Sequence, residues 1–590
     1  MSLPLRDLQF ALYEVNDLAA LVPRETADSV LEVAERLAAT HFAPFAAKAD
    51  VEEPRLEQGK VRLPPECAEA LRAHAAGGFI SMAFTEEQGG LGLPFLLSQA
   101  CAGIFAAANV GFFSYPLLTQ GAANLIARFG NDAQRRRWLA PMLDGRVFGT
   151  MCLSEPHAGS SLADVRTLAT PIGEGRYRLT GRKMWISGGE HELGDNIVHL
   201  VLARTPQAPA GVKGISLFLV PRYRTDDGRA NGITLIGLNH KMGWRGHVNT
   251  ALAFGDESPC EGELVGTLHQ GLAHMFLMMN EARVTVGLSA AALGYAGYRY
   301  ALQYARDRRQ GRAIGERDPT SPQVPLLRHA DIRRMLLAQK AWVEGGLDLV
   351  LFCARLVDDQ HRANEPESRE RAALLLDLLT PVAKSWPAEY GLEANKFAIQ
   401  VAGGAGYTRD LPLERWYRDN RLNHIHEGTY GIHGLDLLGR KVGSQQGRAL
   451  SLWRASIERT LQSWSGSFSD SLAPSEDDLA RLRAMVARIM GVTERLLAVA
   501  GQGQAERALA NATLYLDAFG IVTVSWRWLE QARVAAQALT AGVAGERAFY
   551  RGKLAACRWY LRHELPRAGL NLDRLEAFED TALQLAEDEF

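Results

Sequence analysis

The chain has 590 residues, more than one hydrophobic core normally supports, so three or four domains and room for a large cofactor are expected. Apolar residues make up 47% and charged residues 22%, with a formal net charge of −2, as in ordinary globular proteins. After residue 450 there are 16 Lys and Arg against 18 Asp and Glu, so a basic tail that binds nucleic acid is excluded.

Cysteine usage and the N-terminus bear on the compartment. The six cysteines include no C-x-x-C pair and no dense framework, which indicates buried thiols in a reducing compartment. The N-terminus lacks a basic stretch followed by an apolar core, and no run of eighteen apolar residues occurs. The sequence therefore predicts a cytoplasmic protein without an integral membrane segment.

Helical periodicity marks the N-terminal region, from about residue 5 to 148. It is clearest over residues 27–38, where apolar side chains recur at three- and four-residue spacing. A glycine-rich loop at residues 85–93 interrupts the pattern. This region is predicted to form a helical domain.

Between about residues 149 and 270 the period changes to short extended runs. The clearest runs are residues 196–203, 214–220 and 232–236, and Gly, Pro, Asn and Asp separate them. Such spacing is typical of a small β domain.

Helices return after residue 271. The first, predicted over 271–312, carries small residues at Gly287, Gly294 and Gly297, which permit close packing in a bundle. A Ser/Gly/Pro/Asp-rich stretch at 463–475 is typical of a linker, and a further helical region follows. The predicted fold class is a multidomain α+β protein, with an N-terminal helical domain (1–148), a β-barrel-like middle domain (149–270), a four-helix bundle (271–447) and an additional C-terminal helical domain (448–590).

Residues 424–441 place one carboxylate, Glu427, just before a Gly-Thr turn and an amphipathic helix. Its neighbours Ile425, Tyr430 and Ile432 are apolar or aromatic, and loss of solvation among them should raise its pKa toward the range useful for proton abstraction. Glu427 is therefore the candidate catalytic base. The alternative is an ordinary acidic residue in the first turn of a helix, where it complements the helix dipole.

Two segments together resemble the acyl-CoA dehydrogenase family. Residues 424–441 are similar to that family's C-terminal catalytic loop, and residues 398–407 (Ala-Ile-Gln-Val-Ala-Gly-Gly-Ala-Gly-Tyr) are similar to its flavin-contacting stretch, about twenty residues upstream. Glycines there let backbone amides approach a cofactor closely. The resemblance implies that Glu427 is the base and that a flavin, FAD, is contacted by Gln400, Gly403, Gly404, Thr429 and Gly431.

Residues 151–161, Met-Cys-Leu-Ser-Glu-Pro-His-Ala-Gly-Ser-Ser, resemble the most specific signature of the same family. The resemblance implies that Met151 and Ser154 contact the flavin, with the Ser154 hydroxyl bonding its ring. Gly159 and Ser160 would lie near the cofactor, with Ser160 also near the CoA phosphates of the substrate. The alternative is a simple turn around Glu-Pro.

Residues 181–189 resemble the strand that follows in the family. The resemblance implies that Trp185 covers one flavin face and that Ser187 bonds near the N5 edge, whereas a Trp in a strand is otherwise a core residue. Residues 241–250 resemble the turn that shapes the acyl pocket, although His247 and Asn249 differ from the residues common in relatives.

Two basic positions complete the resemblance. Residues 278–284 match the start of the family's long helix, which implies that Asn280 and Arg283 contact the substrate; a solvated arginine is the alternative. Residues 304–312 end the predicted helix, and Arg308, with Gln310, would reach the flavin pyrophosphate across a subunit interface. A homo-oligomer, dimer or tetramer, is therefore implied.

The resemblance covers about residues 40–445 in the order α, β, α, and the helical tail resembles a longer bacterial subgroup that includes 3-methylmercaptopropionyl-CoA dehydrogenases. It implies FAD-dependent conversion of an acyl-CoA to a trans-2-enoyl-CoA, with electrons passed to an electron-transferring flavoprotein. An acyl-CoA oxidase that uses oxygen and a flavoprotein scaffold without turnover remain as alternatives. The sequence leaves the acyl group open.

Two further hypotheses concern single features. A charged His426, next to Glu427, would lower the pKa of the base. The aromatic residues of the tail form either the core of a helical domain or an exposed belt for docking to a membrane; they are Trp526, Trp528, Tyr550, Trp559 and Tyr560.

Overall fold

The computed structural model describes residues 3–464, 470–543 and 545–590, without the side chains of residues 277–279. The chain divides into two compact units, a β unit (residues 22–282) and a helical unit (residues 3–21 and 283–590). Residues 465–469 of the predicted linker lie outside the described residues.

The N-terminal elements are mainly helical, as the sequence predicts. Short 3-10 and π-helical turns connect the helices α1 Leu5–Gln9, α2 Arg24–Leu37, α3 Ala46–Val51, α4 Pro65–Ala76, α5 Phe95–Phe129, α6 Asp132–Gln134 and α7 Ala140–Leu143.

One hairpin in this region was not predicted. Strands β1 (Arg55–Glu57) and β2 (Lys60–Arg62) pair in antiparallel register. Gln58 and Gly59 between them have φ of +51° and +75°, as a two-residue hairpin turn requires. The strands are too short and too exposed to show the alternating apolar pattern by which a strand is recognised.

The middle of the β unit is a single sheet that closes on itself, in agreement with the predicted β-barrel-like domain. Its strands follow the order β10-β7-β6-β4-β5-β9-β8, β10 also pairs with β5, and β3 adds to β6 in parallel. The strands are β3 Val147–Cys152, β4 Leu168–Gly173, β5 Arg176–Ser187, β6 Asn196–Arg204, β7 Ile215–Pro221, β8 Ile233–Leu238, β9 Asn249–Phe254 and β10 Cys260–Val265.

Two apolar clusters fix the sheet. One joins helix α5 and the following turns to residues of β3, β6 and β7 such as Val147, Leu200 and Leu217. The other lies among β4, β5, β6, β7 and β9 and includes Leu179, Phe218 and Phe254. Because side chains alternate along a strand, β6 and β7 contribute to both clusters and are apolar along nearly their whole length.

The C-terminal half is helical, and the chain passes from one unit to the other within α8. The helices are α8 Gly271–Asp307, α9 Ala330–Arg362, α10 Pro366–Ala402, α11 Leu413–Arg421, α12 Tyr430–Asp436, α13 Arg448–Ser463, α14 Glu476–Gly501, α15 Ala505–Leu509, α16 Ala512–Thr540, α17 Arg547–His563, α18 Leu565–Glu576 and α19 Thr581–Gln584.

The glycines of α8 permit close helix packing, as predicted. A Cβ on Gly287 would lie 1.9 Å from the carbonyl oxygen of Ala383 in α10, and a Cβ on Gly294 would lie 2.9 Å from Cα of Gly391. Pro387 has no N–H to bond the Ala383 carbonyl, so the α8 backbone approaches a carbonyl that α10 leaves free.

The aromatic residues of the C-terminal helices belong to the core of the helical unit, where Trp526 packs on Phe352 of α9 and Tyr560 on Trp386 of α10. Trp526, Trp528, Tyr550 and Tyr560 are at most 4% exposed, and Trp559 is partly exposed. Burial in a helical core is confirmed for the first four residues, and the exposed belt is wrong. All six cysteines are buried and free.

Within the described residues, two helical segments, Phe95–Phe129 and Ala505–Thr540, are long and apolar enough to span a membrane by length and composition alone. The most apolar window of the first is 94% buried within the protein and that of the second 67% buried. Buried core helices meet the same criteria, so this observation is weak evidence for a membrane span.

Candidate functional site

A buried ion pair ties the loop after β3 to strand β5. Lys183 Nζ lies 2.9 Å from Glu155 Oε1 and also donates to the carbonyl of Leu153 at 2.9 Å. Glu155 further accepts from the backbone N–H groups of Arg166 (2.8 Å) and Thr167 (3.0 Å) and from the Thr167 hydroxyl (2.6 Å). Burial by itself would raise the pKa of Glu155, but the Lys183 charge and these bonds lower it. The ion pair thus links the motif at residues 151–161 to the strand motif at residues 181–189.

Trp185 projects from a bulge beside this ion pair. The register between β5 and β9 shifts between Lys183 and Ile186, and Trp185 within the shift has a φ of +64° and is 61% exposed. The neighbouring Met184 N–H donates to the Ser154 carbonyl at 3.0 Å. A bulky residue at positive φ is rare, and a bulge re-aims a side chain. The core alternative for Trp185 is therefore wrong, and its indole face is open.

Ser187, two residues along β5, is held by asparagines. Its hydroxyl oxygen accepts from Asn249 Nδ2 at 3.0 Å, and Asn249 Oδ1 accepts from Asn239 Nδ2 at 2.8 Å. No acceptor for the Ser187 hydroxyl hydrogen lies in the described part of the chain. The other predicted residues of the β unit are partly exposed, namely Met151, Ser154 and Asn280, or exposed, namely Gly159 and Ser160.

The turn that the sequence assigned to the acyl pocket packs inside the β unit. His247 is 2% exposed, and its ring centroid lies 4.1 Å from that of Tyr115. Lys241 Nζ donates to the His247 carbonyl at 2.6 Å, while Asn249 is engaged with Ser187. The role of these residues in binding the acyl chain stays a prediction.

In the helical unit, Glu427 lies in a left-handed turn before α12. The φ angles are +55° at Glu427 and +99° at Gly428. Thr429 is the N-cap of α12, and its hydroxyl accepts from the Ile432 N–H at 3.4 Å. The first turn of α12 contains no acidic residue, so the alternative of an acidic residue in the first helical turn is wrong.

The Glu427 carboxylate is partly exposed and has no hydrogen-bond donor among the described residues. Burial raises its pKa, and the charges of Arg283 and Lys384 partly oppose the shift. The N–H of Glu427 also has no acceptor within the described ranges. Both the carboxylate and the amide are therefore available to a ligand.

Arg283 is buried rather than solvated. It is 4% exposed, and its Nη1 lies 3.4 Å from Asp436 Oδ2. Asp436 is also held by Arg440 at 2.6 Å. The Nε of Arg283 is buried and has no hydrogen-bond partner among the described residues. The alternative of a solvated arginine is wrong.

Two basic residues near Glu427 differ from the sequence expectation. Burial lowers the pKa of His426 to about 3, and its Nε2 lies 3.0 Å from Asn423 Oδ1, so the imidazole is neutral and the hypothesis of a charged His426 is wrong. The nearby cation is Lys384 of α10, which sequence reasoning missed. The only signal was a single Lys in the otherwise largely apolar run 378–388.

The end of α10 leaves backbone open to a ligand. Gln400 is exposed, and its carbonyl accepts from the N–H of Gly403, which has a φ of +61°. Apart from the chain neighbours and the glycine's own helix backbone, no described atom lies within 4 Å of a Cβ built on Gly403, Gly404 or Gly431. Close approach of a cofactor to the main chain requires such positions.

Arg308 and Gln310 lie beyond α8, not within it. The helix ends at Asp307, five residues before the predicted end at Arg312. Backbone pairing between Gln310 N–H and the Val324 carbonyl, at 3.0 Å, turns the chain away from the helix, and Gly311 has a φ of +65°. Both predicted side chains are exposed on this loop.

In the β unit, the exposed indole and the oriented serine fit a large, planar cofactor such as a flavin. In the helical unit, the open glycines leave room for a cofactor beside the main chain. Four family models match the chain: "Acyl-CoA dehydrogenase, N-terminal domain" at residues 24–146, "middle domain" at 150–256, "C-terminal domain" at 269–442, and "Acetyl-CoA dehydrogenase C-terminal like" at 455–586. The 3-methylmercaptopropionyl-CoA dehydrogenase of Ruegeria pomeroyi is 34% identical over 98% of both chains. The chain belongs to the acyl-CoA dehydrogenase family.

Other known proteins agree with this membership. The broad-specificity linear acyl-CoA dehydrogenase FadE5 of Mycobacterium tuberculosis is 30% identical and is matched over 99% of both chains. A solved acyl-CoA dehydrogenase complexed with FAD from Bacillus anthracis superposes with a TM-score of 0.76 at 18% identity, over 98% of this chain and 93% of that one. The second comparison shows the fold alone. This family member is an enzyme of the acyl-CoA dehydrogenase type.

Proposed function

We propose that this protein converts an acyl-CoA thioester to a trans-2-enoyl-CoA with FAD, and that Glu427 is the catalytic base. The state of the Glu427 carboxylate carries the proposal. It is partly exposed, burial raises its pKa, and no described group donates a hydrogen bond to it. A carboxylate in this state accepts a proton readily and is not engaged in holding the fold together.

The carboxylate and the backbone N–H of Glu427 have different roles toward the substrate. The carboxylate removes the α proton of the acyl chain. The N–H of the same residue donates to the thioester carbonyl and stabilises the negative charge that develops on its oxygen. FAD, when bound, supplies the acceptor for the β hydrogen and its electron pair.

The residues proposed to hold the cofactor and the substrate are those that the family resemblance implies. In the β unit, FAD is held by Met151, Ser154, Gly159, Ser160, Trp185 and Ser187. In the helical unit, it is held by Arg308, Gln310, Gln400, Gly403, Gly404, Thr429 and Gly431. Ser160, Asn280 and Arg283 are proposed to contact the acyl-CoA.

The electron acceptor and the assembly are also proposals. Electrons pass from the reduced flavin to an electron-transferring flavoprotein. The exposed Arg308 and Gln310 support a homo-oligomer, since the resemblance directs this arginine to the flavin of a neighbouring subunit.

An anaerobic titration tests the reaction and the base together. The holoenzyme is titrated with butyryl-CoA, longer linear acyl-CoAs and 3-methylmercaptopropionyl-CoA, which are substrate classes named in its relatives. Visible flavin absorbance should bleach with at least one of them. Glu427→Gln should bleach roughly 10³-fold more slowly, the size expected for loss of a general base.

The matched control is Glu393→Gln, which changes a partly exposed glutamate of α10 and should bleach at the wild-type rate. Bound flavin that no acyl-CoA bleaches contradicts the reaction. A Glu427→Gln variant that bleaches as fast as the wild type contradicts the base. Reoxidation by an electron-transferring flavoprotein but slowly by air supports the dehydrogenase, and rapid reoxidation by air supports the oxidase.

A further inference from the structure

The turn that carries Glu427 has an unusual backbone. Glu427 and Gly428 are consecutive left-handed residues, with φ of +55° and +99°. A residue other than glycine is strained in the left-handed conformation, so neighbouring structure must hold the turn in place. Both carbonyl oxygens of the pair are bound by buried nitrogen atoms from other parts of the helical unit.

The first nitrogen belongs to Lys384 of α10. Its side chain is fully buried, and Nζ donates to the Gly428 carbonyl at 2.7 Å. No carboxylate of the described residues lies within 4.0 Å of this Nζ. A buried ammonium normally has an acidic partner because its desolvation is costly. The only hydrogen bond of Lys384 Nζ among the described residues is the one to the Gly428 carbonyl of the turn.

The second nitrogen belongs to His433 of α12. Its Nε2 lies 3.1 Å from the Glu427 carbonyl, and its Nδ1 is buried without a partner among the described residues. Because a carbonyl only accepts, Nε2 carries the hydrogen. Burial lowers the pKa of His433, so the ring stays neutral. A Cβ on Gly428 would lie 2.8 Å from this nitrogen, so the ring and the glycine fit closely.

Resting on the proposed function of Glu427, we infer that Lys384 and His433 are positioning residues. Each holds one carbonyl of the Glu427–Gly428 turn, and together they direct the carboxylate and the N–H of Glu427 toward the substrate.

Lys384 also adjusts the charge around the base. Burial lowers its pKa to about 7, Glu427 opposes this shift and Arg283 adds to it. The other titratable groups that face Lys384 are His424, His426 and His433, and burial keeps all three neutral at ordinary pH. A protonated Lys384 favours the carboxylate form of Glu427. Its removal therefore raises the pKa of the base.

The first measurement is hydrogen–deuterium exchange of residues 422–434 in the purified holoenzyme, which reports the turn without turnover. Lys384→Met should exchange faster in this segment, and Lys384→Arg should restore protection. The matched control is Lys441→Met, which removes another buried lysine, paired with Asp377 instead of the turn. Unchanged exchange in Lys384→Met, or an equal change in Lys441→Met, overturns the inference.

The second measurement is the pH profile of flavin bleaching by the acyl-CoA that reduces the wild type. Lys384→Met should bleach about 100-fold more slowly, as expected for a misplaced catalytic group. The acidic limb of its profile should move to higher pH, whereas Lys384→Arg should keep the wild-type limb. A Lys384→Met profile that coincides with the wild-type profile in rate and limb overturns the inference.

Further variants separate the hydrogen bond from the charge. Lys384→Gln keeps a hydrogen-bond donor without a charge. It should therefore keep the protection of residues 422–434 from exchange but show the shifted acidic limb, and it replaces the Met variant if that variant does not fold.

For His433, residues 422–434 should exchange faster in His433→Phe than in His433→Gln. Equal exchange in the two variants removes His433 from the inference. If no acyl-CoA bleaches the wild type, the proposed function fails, whereas the exchange result alone decides whether the turn is held as inferred.

Discussion

Two glutamates, the buried Glu155 in the β unit and the partly exposed Glu427 in the helical unit, have opposite environments. Glu155 in the β unit accepts four hydrogen bonds, one of them from the fully buried Lys183, and its pKa is lowered. Glu427 in the helical unit accepts none from the described residues, and its pKa is raised. Each has a buried lysine nearby, but Lys384 donates to the backbone beside Glu427 and not to its carboxylate.

The difference shows what separates a structural carboxylate from a reactive one. Burial penalises the charge of both, and hydrogen bonds to the carboxylate decide which form is favoured. Glu155 is bonded on both oxygens and remains an anion that fastens two motifs together. Glu427 keeps its lone pairs for the substrate, and the protein holds its backbone instead.

A third carboxylate shows that this contrast does not depend on the unit. Asp348 of α9 is 1% exposed and accepts two bonds from Arg527 of α16, at 2.8 and 3.2 Å, and one from Asn16 at 3.0 Å. It lies in the same unit as Glu427 but has the environment of Glu155. Glu427 is therefore exceptional for its turn and not for its helical surroundings.

The largest stability effect is expected for Arg527→Met. It leaves Asp348 charged and buried with one bond from Asn16, and breaking such a pair costs about 4 kcal/mol. Urea denaturation followed by circular dichroism should show the loss. The double variant Arg527→Met/Asp348→Leu should recover part of it. A single variant as stable as the wild type would remove Asp348 from the comparison.

Lys183→Met should have a somewhat smaller effect, about 3 kcal/mol, because Glu155 keeps three other donors. The urea midpoint measures this loss. FAD retention should fall as well, since the pair fastens the bulge that carries Trp185. Arg182→Met is the matched control, because this neighbour is exposed and its pair with Asp256 contributes little. Equal losses in the two variants would contradict the structural role of the pair.

Gly428→Ala tests the turn with a change of one methyl group. The turn forces the alanine into a left-handed φ, and its Cβ lies 2.8 Å from His433 Nε2. The substitution should therefore destabilise the fold by about 1–2 kcal/mol. Thermal unfolding measures the loss, and flavin bleaching should slow with it. Gly431→Ala is the control, since its Cβ meets no described protein atom and the unliganded fold should tolerate it. A Gly428→Ala variant as stable and active as the wild type would show that the conformation of the Glu427–Gly428 turn does not matter, which contradicts the contrast between Glu427 and Glu155.

The smallest effect is the pH dependence of Glu427→Gln. The folded state raises the pKa of Glu427, so ionisation of this group destabilises the fold as pH rises through the folded pKa. The variant should match the wild type below the ordinary value of 4.5 and become relatively more stable at higher pH. Melting temperatures of both proteins from about pH 4 to about pH 8 measure the difference in their stability. A gap that grows toward low pH would show that folding lowers the pKa of Glu427 instead.

The fold class could be predicted because it depends on periodicity. Strands β6 and β7 and helix α2 coincide with the predicted runs to within a few residues. The hairpin β1–β2 and the end of α8 were mispredicted, because in both places backbone pairing through a turn with positive φ competes with a weak local pattern. The boundaries between the four predicted domains stay a prediction.

The sequence by itself determined the family, the succession of helices and strands, and the identity of Glu427 as the candidate base, because motif and spacing are local properties. Only the tertiary structure decided that Trp185 is exposed, that Arg283 is buried against Asp436 and that His426 is neutral. It also brought Lys384, more than forty residues before Glu427, to the Gly428 carbonyl. Burial and hydrogen-bond partners arise from residues distant in the chain, so no local pattern encodes the state of a charge.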